Sequence, residues 1–123
     1  MKKILVLVFL LAAFGVKAQD YARQFDVNKY ADQLTQDIFE LTGIQDEAMQ
    51  QKIEIKVYNY ARSIRKHLIL FEQEGNLKGK TLEEAIASVK SEADNATKFS
   101  FYLKRWLNED QYAKLVEAGI VSK

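Results

Sequence analysis

A regular apolar stripe in the middle of the chain is the feature that most constrains how it can fold. Its members, spaced three or four residues apart, are Ile53, Val57, Tyr60, Ile64, Leu68 and Phe71. This spacing is typical of an amphipathic helix that buries one face. Because the chain contains no proline, nothing in the sequence forces a kink. We therefore predict one long helix over residues 42–74, which begins at a Thr42–Gln45 capping box and ends at Gly75.

The same periodicity predicts three further helices, over about residues 20–40, 81–106 and 108–118. Two of them begin with a capping box, in which the N-cap residue and the residue three positions later satisfy each other's backbone N–H groups. These boxes pair Thr81 with Glu84 and Asn108 with Gln111. No stretch alternates apolar and polar residues as a strand would. The predicted fold is all-α, a small helical bundle or curved helical hairpin of three long helices and one short C-terminal helix.

The first eighteen residues are predicted to be a secretory signal peptide. Lys2 and Lys3 precede an apolar run, and Val16 and Ala18 place small residues at the −3 and −1 positions of a cleavage site. The run falls short of the roughly 20 residues that span a bilayer, and no cysteine is present for lipid attachment. We therefore expect a periplasmic or secreted protein with no stable membrane insertion after signal cleavage. Residues 19–123 would form its single all-helical domain.

The charges of the predicted mature chain nearly balance, but they are segregated. Removing Lys2, Lys3 and Lys17 leaves fifteen basic and seventeen acidic residues, a net charge of −2. A chain this close to neutral lacks the overall positive field that nucleic acid binding requires. Residues 20–47 hold two basic and seven acidic residues, whereas residues 52–66 hold five basic and one acidic. We expect the acidic first helix to pack antiparallel against the basic second one.

The residues that usually carry chemistry are sparse. His67 is the only histidine and the chain has no cysteine, so a zinc site would need at least two carboxylates, which is unusual. The sequence contains neither a Gly-x-Ser-x-Gly nucleophile motif nor a glycine-rich phosphate loop. Neighbouring carboxylates such as Glu83 and Glu84 lie in first helical turns, where the helix dipole explains them. We predict no catalytic residue, no metal and no cofactor.

Both long N-terminal helices have a second apolar face that a small monomer has no evident means of burying. Its members and the neighbouring arginines are Tyr21, Phe25, Phe39, Ile55, Tyr58, Arg62, Arg65 and Ile69. Apolar patches edged by charge mark interaction sites. This face is therefore a candidate client or dimer surface, and the sequence allows two interpretations. Dimerisation would hide it permanently, whereas an open surface would bind unfolded or partner polypeptides.

Two short segments share one pattern, Leu-(Thr/Asn)-x-x-Gln, at predicted helix starts. They are Leu41–Gln45 and Leu107–Gln111, about sixty residues apart. Together with the signal peptide and the helical architecture, the pair resembles the LTxxQ motif of the Spy/CpxP family of periplasmic proteins. The match departs from the family at Asn108, where threonine is usual, and Gly43 is a poor helix former inside the first copy. The motif residues cap helices in this reading and form no catalytic set.

The resemblance implies a thin, curved helical dimer. Spy-like members are ATP-independent chaperones, CpxP-like members restrain an envelope-stress sensor kinase, and a related branch binds zinc. We therefore expect an exported, non-enzymatic protein-binding module that functions in a stress response and forms a homodimer. The alternative is a structural helical bundle without chaperone activity, either an obligate dimer or a binder of small apolar ligands.

Overall fold

Residues 20–123 are described by a computed structural model, and the predicted signal peptide, residues 1–18, lies outside this range. The described residues form an all-α structure with no strand, which confirms the predicted fold class. Its helices are α1 (Tyr21–Gln24), α2 (Val27–Thr42), α3 (Glu47–Gln73), α4 (Leu82–Thr97), α5 (Phe99–Trp106) and α6 (Glu109–Glu117). None of them combines the length and the apolar character that crossing a bilayer requires.

Helix α3 is the centre of the packing, because every other described helix except α6 packs directly against it. Its apolar stripe is fully buried from Ile53 to Leu68. Helices α2 and α4 make its most extensive contacts, while α6 packs mainly on α2. The ring of Tyr60 on α3 stacks on that of Phe99 on α5, with centroids 4.1 Å apart and planes 5° from parallel. The stripe that dominates the sequence therefore supplies the middle of the core.

The junction between α2 and α3 differs from the prediction. Thr42 is the last residue of α2, and its hydroxyl donates to the carbonyl oxygen of Ile38 at 2.7 Å. Gly43, with φ of 69°, then ends the helix in the left-handed conformation that glycine adopts without strain. The N-cap of α3 is Asp46, whose carboxylate accepts from the backbone N–H of Met49 at 2.9 Å. The predicted Thr42–Gln45 capping box is therefore wrong.

Two of the predicted helices are each divided in two. The helix predicted over residues 20–40 breaks at Phe25 and Asp26, where the Asp26 carboxylate caps the start of α2. The helix predicted over residues 81–106 breaks at Lys98, a non-glycine residue with a positive φ of 57°. After the first break α1 packs against α3 and α4, and after the second α5 packs against α3 and α6 as well as α4. The two breaks change which side chains reach the core.

Tyr21 connects α1 to the loop between α3 and α4 through hydrogen bonds. Its hydroxyl lies 2.8 Å from the carbonyl oxygen of Leu77 and also contacts that of Lys80. Its backbone N–H donates to the carboxylate of Glu72 at 3.1 Å. The side chain is only 1% exposed. A four-residue helix has little stability of its own, so these contacts hold α1 in place.

Candidate functional site

Two of the residues predicted for the second apolar face are not on the surface. Tyr21 and Phe25 are 1% and 5% exposed, and both belong to the core. The prediction placed them opposite the core by extrapolating one continuous helix through residue 40. Because the chain turns at Phe25 and Asp26, that extrapolation does not hold, and both rings lie in the core. Tyr21 and Phe25 are therefore removed from the candidate surface.

Phe39, Ile55 and Tyr58 do come together, in a groove between α2 and α3. We call this the α2–α3 groove. It has a volume of about 580 Å³ and is lined by Ala31, Asp32, Thr35, Gln36, Phe39, Glu54, Ile55 and Tyr58. Ile55 is 63% exposed and Tyr58 is 41% exposed, while Phe39 is partly buried against the core. The groove is thus open to solvent, and the carboxylates of Asp32 and Glu54 flank its apolar side chains.

The predicted arginines extend the groove along α3. Arg62 and Arg65 are exposed, and the guanidinium of Arg62 lies 5.8 Å from the centre of the Tyr58 ring. That distance is within the range of a cation–π contact. Ile69, one further turn along, is half-buried. Apolar side chains are therefore followed by cations along α3.

The other motif residues have structural roles. Thr81 and Glu84 form a capping box, as do Asn108 and Gln111. The side chain of Gln111 also donates to the carbonyl oxygen of Thr42 at 3.3 Å, which links the start of α6 to the end of α2. Leu107 is buried and Leu41 half-buried. The two copies of the sequence pattern therefore meet in space, although only the second copy caps a helix.

A second cluster of exposed and half-buried side chains, which the sequence does not single out as a site, lies where α5 packs on α3. We call it the aromatic–basic face; it consists of Lys52, Lys56, Phe101, Tyr102, Arg105 and Trp106. The Lys56 ammonium lies 4.2 Å from the centre of the Tyr102 ring, and that of Lys52 lies 5.6 Å from that of Trp106. Phe101 is 55% exposed and meets Tyr102 edge-on at 5.3 Å. The aromatic residues that accumulate at the end of the third predicted helix are the feature of the sequence that indicates this face.

His67 takes part in no cluster of ligands. Its Nδ1 lies 2.8 Å from the backbone carbonyl oxygen of Ser63, one turn earlier on α3. An Nδ1–H donor satisfies that carbonyl and fixes the imidazole along the helix. Within residues 20–123, no group of three or more His, Cys, Asp or Glu side chains is arranged to hold a metal ion.

A chain of polar contacts joins the end of the sequence to the α4–α5 break. The Asp94 carboxylate accepts from the backbone N–H of Ser100 at 3.0 Å and also from its hydroxyl. The Ser100 oxygen accepts from the backbone N–H of Ser122 at 3.0 Å, and the Tyr112 hydroxyl donates to the Ser122 carbonyl at 2.5 Å. Since Lys98 provides no side-chain cap, Asp94 caps α5 from the preceding helix.

The burial of Tyr60 makes folding sensitive to alkaline pH. Burial raises the pKa of Tyr60 well above its ordinary value, with smaller contributions from nearby Tyr30 and Asp94. Because the pKa of Tyr60 is higher in the folded than in the unfolded protein, its contribution to stability is complete below about pH 10. That contribution is lost as the pH rises further, since the unfolded tyrosine ionises first. We expect urea denaturation to show a falling free energy of unfolding above about pH 10.

The matched control for this prediction is Tyr60→Phe, which keeps the ring that stacks on Phe99 and removes the ionisable hydroxyl. Its stability should decline less steeply over the same pH range. Identical slopes for the two proteins would contradict the assignment to Tyr60.

Comparison with protein-family models, curated proteins and solved structures finds no match to this chain. The resemblance to the Spy/CpxP family therefore rests on the predicted signal peptide, the two motif copies and the helical architecture.

Proposed function

We propose that this chain is an exported, non-enzymatic protein that binds other polypeptides through the α2–α3 groove, in the manner expected of a Spy/CpxP-like chaperone or stress modulator. The observation that carries the proposal is the exposure of Ile55 and Tyr58 beside each other on α3. Large apolar side chains that line a groove and are edged by charge are typical of protein-binding surfaces.

The groove also indicates what kind of segment it would bind. Ile55 and Tyr58 offer apolar contact area, and Arg62 and Arg65 follow them along α3. A bound chain that places apolar side chains in the groove could place a carboxylate beside either guanidinium. Asp32 and Glu54 line the same groove and would disfavour an acidic side chain there. Apolar segments with an acidic residue toward one end are therefore the expected ligands.

The test is whether residues 20–123 suppress aggregation of a reduced, unfolding client protein in the absence of ATP. Ile55→Glu combined with Tyr58→Glu should weaken client binding by at least about tenfold, because full burial of each side chain is worth roughly 1.5–3 kcal/mol. Far-UV circular dichroism should remain unchanged, since both residues are exposed.

Leu70→Glu is the matched control, because Leu70 is 41% exposed on the same helix but lies outside the groove. It should leave suppression intact. If the wild-type protein gives no suppression at several-fold molar excess, the chaperone role is excluded. If Ile55→Glu instead converts a stable dimer into monomers, the groove is a dimer seam, and the protein is better described as a structural homodimer.

A further inference from the structure

We propose that the aromatic–basic face docks the protein onto an anionic phospholipid bilayer surface. The face lies on the α5 side of α3, while the α2–α3 groove lies on the α2 side, so it is a separate surface. The proposal does not depend on polypeptide binding by the groove.

The charge of the face is one-sided, although that of the whole chain is not. Helix α5 carries Lys104 and Arg105 and no acidic residue. On α3, Lys52 and Lys56 face α5, whereas Glu54, the one acid between them, lines the groove on the opposite side. Clusters of lysine and arginine are attracted to the negative surface potential of anionic lipids. A net charge near zero therefore conceals a cationic patch.

The aromatic side chains supply the second requirement, a means of entering the interfacial region. Phe101 is 55% exposed, and Tyr102 and Trp106 are half-buried beside it. Tryptophan and tyrosine rings favour the headgroup level of a bilayer, where their apolar bodies and polar tips are both satisfied. The Lys56 ammonium also donates to the carbonyl oxygen of Thr97 at 3.0 Å. The exposed Lys52 and Arg105 are therefore the cations that would meet the lipid phosphates. A polypeptide would be expected in a groove, but this face is formed by rings and cations that lie side by side.

The chain provides its own reporter, because Trp106 is its only tryptophan and lies on the face. The experiment titrates residues 20–123, which contain all the described helices and the described core, with vesicles and follows Trp106 fluorescence. Vesicles of phosphatidylcholine with about one third phosphatidylglycerol should shift the emission to shorter wavelength, and pure phosphatidylcholine should not. The shift should be lost at about 1 M salt, where the screening length falls to about 3 Å.

Matched variants separate a local patch from a general charge effect. Lys52→Glu with Arg105→Glu should lower the partition coefficient by at least about tenfold. Lys66→Glu with Lys78→Glu makes the same change in net charge at exposed positions outside the face and should retain most of the binding. Phe101→Ala should weaken partitioning by about threefold or more without removing charge. Ile55→Glu with Tyr58→Glu should bind vesicles as the wild type does.

Three results would overturn the proposal. The first is an unchanged Trp106 spectrum at saturating anionic vesicles, and the second is equal loss of binding in both charge-reversal pairs. The third is a spectral response to polyglutamate without one to vesicles, which would assign the face to acidic polypeptides instead.

Discussion

Replacing Phe99 by alanine should lower the free energy of unfolding by about 3–5 kcal/mol. Phe99 is completely buried and stacks on Tyr60, so its removal leaves a cavity between α3 and α5. The stacked partner would also lose its aromatic contact, which adds to the loss from burial. Chemical denaturation followed by circular dichroism measures the change directly.

Phe101→Ala is the matched control, because it removes the same side chain two residues away on α5. Phe101 is 55% exposed, so its loss should change stability by less than about 0.5 kcal/mol. Comparable destabilisation by the two substitutions would contradict the structure, in which the Phe99 ring is buried and the Phe101 ring is exposed.

Tyr21→Ala should be similarly damaging, with a loss of about 4–5 kcal/mol. The ring is 1% exposed and its hydroxyl contacts the carbonyl oxygens of Leu77 and Lys80. Since small domains are stable by only about 5–15 kcal/mol, this single change should remove a large fraction of the free energy of unfolding. Thermal and urea denaturation would both register the effect.

Tyr21→Phe separates the hydroxyl from the ring and should cost about 1–2 kcal/mol. For each variant, the loss of stability should stay the same when the protein concentration is changed about tenfold. Tyr21 is buried within one chain, so its contribution to stability does not depend on association with a second copy. A loss that shrinks as concentration rises would mean that α1 packs against a second copy, and would restore Tyr21 to an intermolecular surface.

The helix starts show how far local sequence signals reach. Thr81 and Asn108 cap helices as expected, because each is followed three residues later by the side chain that completes a capping box. Thr42 carries the same signal and does not cap. Gly43 ends α2 in the left-handed conformation, and Asp46 is a competing N-cap four residues later. When two capping residues lie a turn apart with a glycine between them, the sequence alone does not decide between them.

The sequence predicts which side chains are buried only along a helix that continues without a break. The stripe on α3 is buried as its spacing predicts, since α3 has no break. Tyr21 and Phe25 were misplaced because the turn at Asp26 resets the angular position of everything before it. Lys98 ends α4 with neither glycine nor proline to signal it. At that break Asp94 accepts from the backbone N–H of Ser100, six residues later, which is outside the three-residue spacing of a capping box.

The contacts of Ser122 with Ser100 and Tyr112 hold the backbone at residue 122 against α5 and α6. A protease that cuts next to Ser122 would therefore have to wait until these contacts open locally. Loss of Ser122 would remove the N–H donor to the Ser100 oxygen and the acceptor of the Tyr112 hydroxyl, while Ser100 would keep both contacts with Asp94. Protection of this segment from proteases thus depends on two hydrogen bonds that join it to α5 and α6.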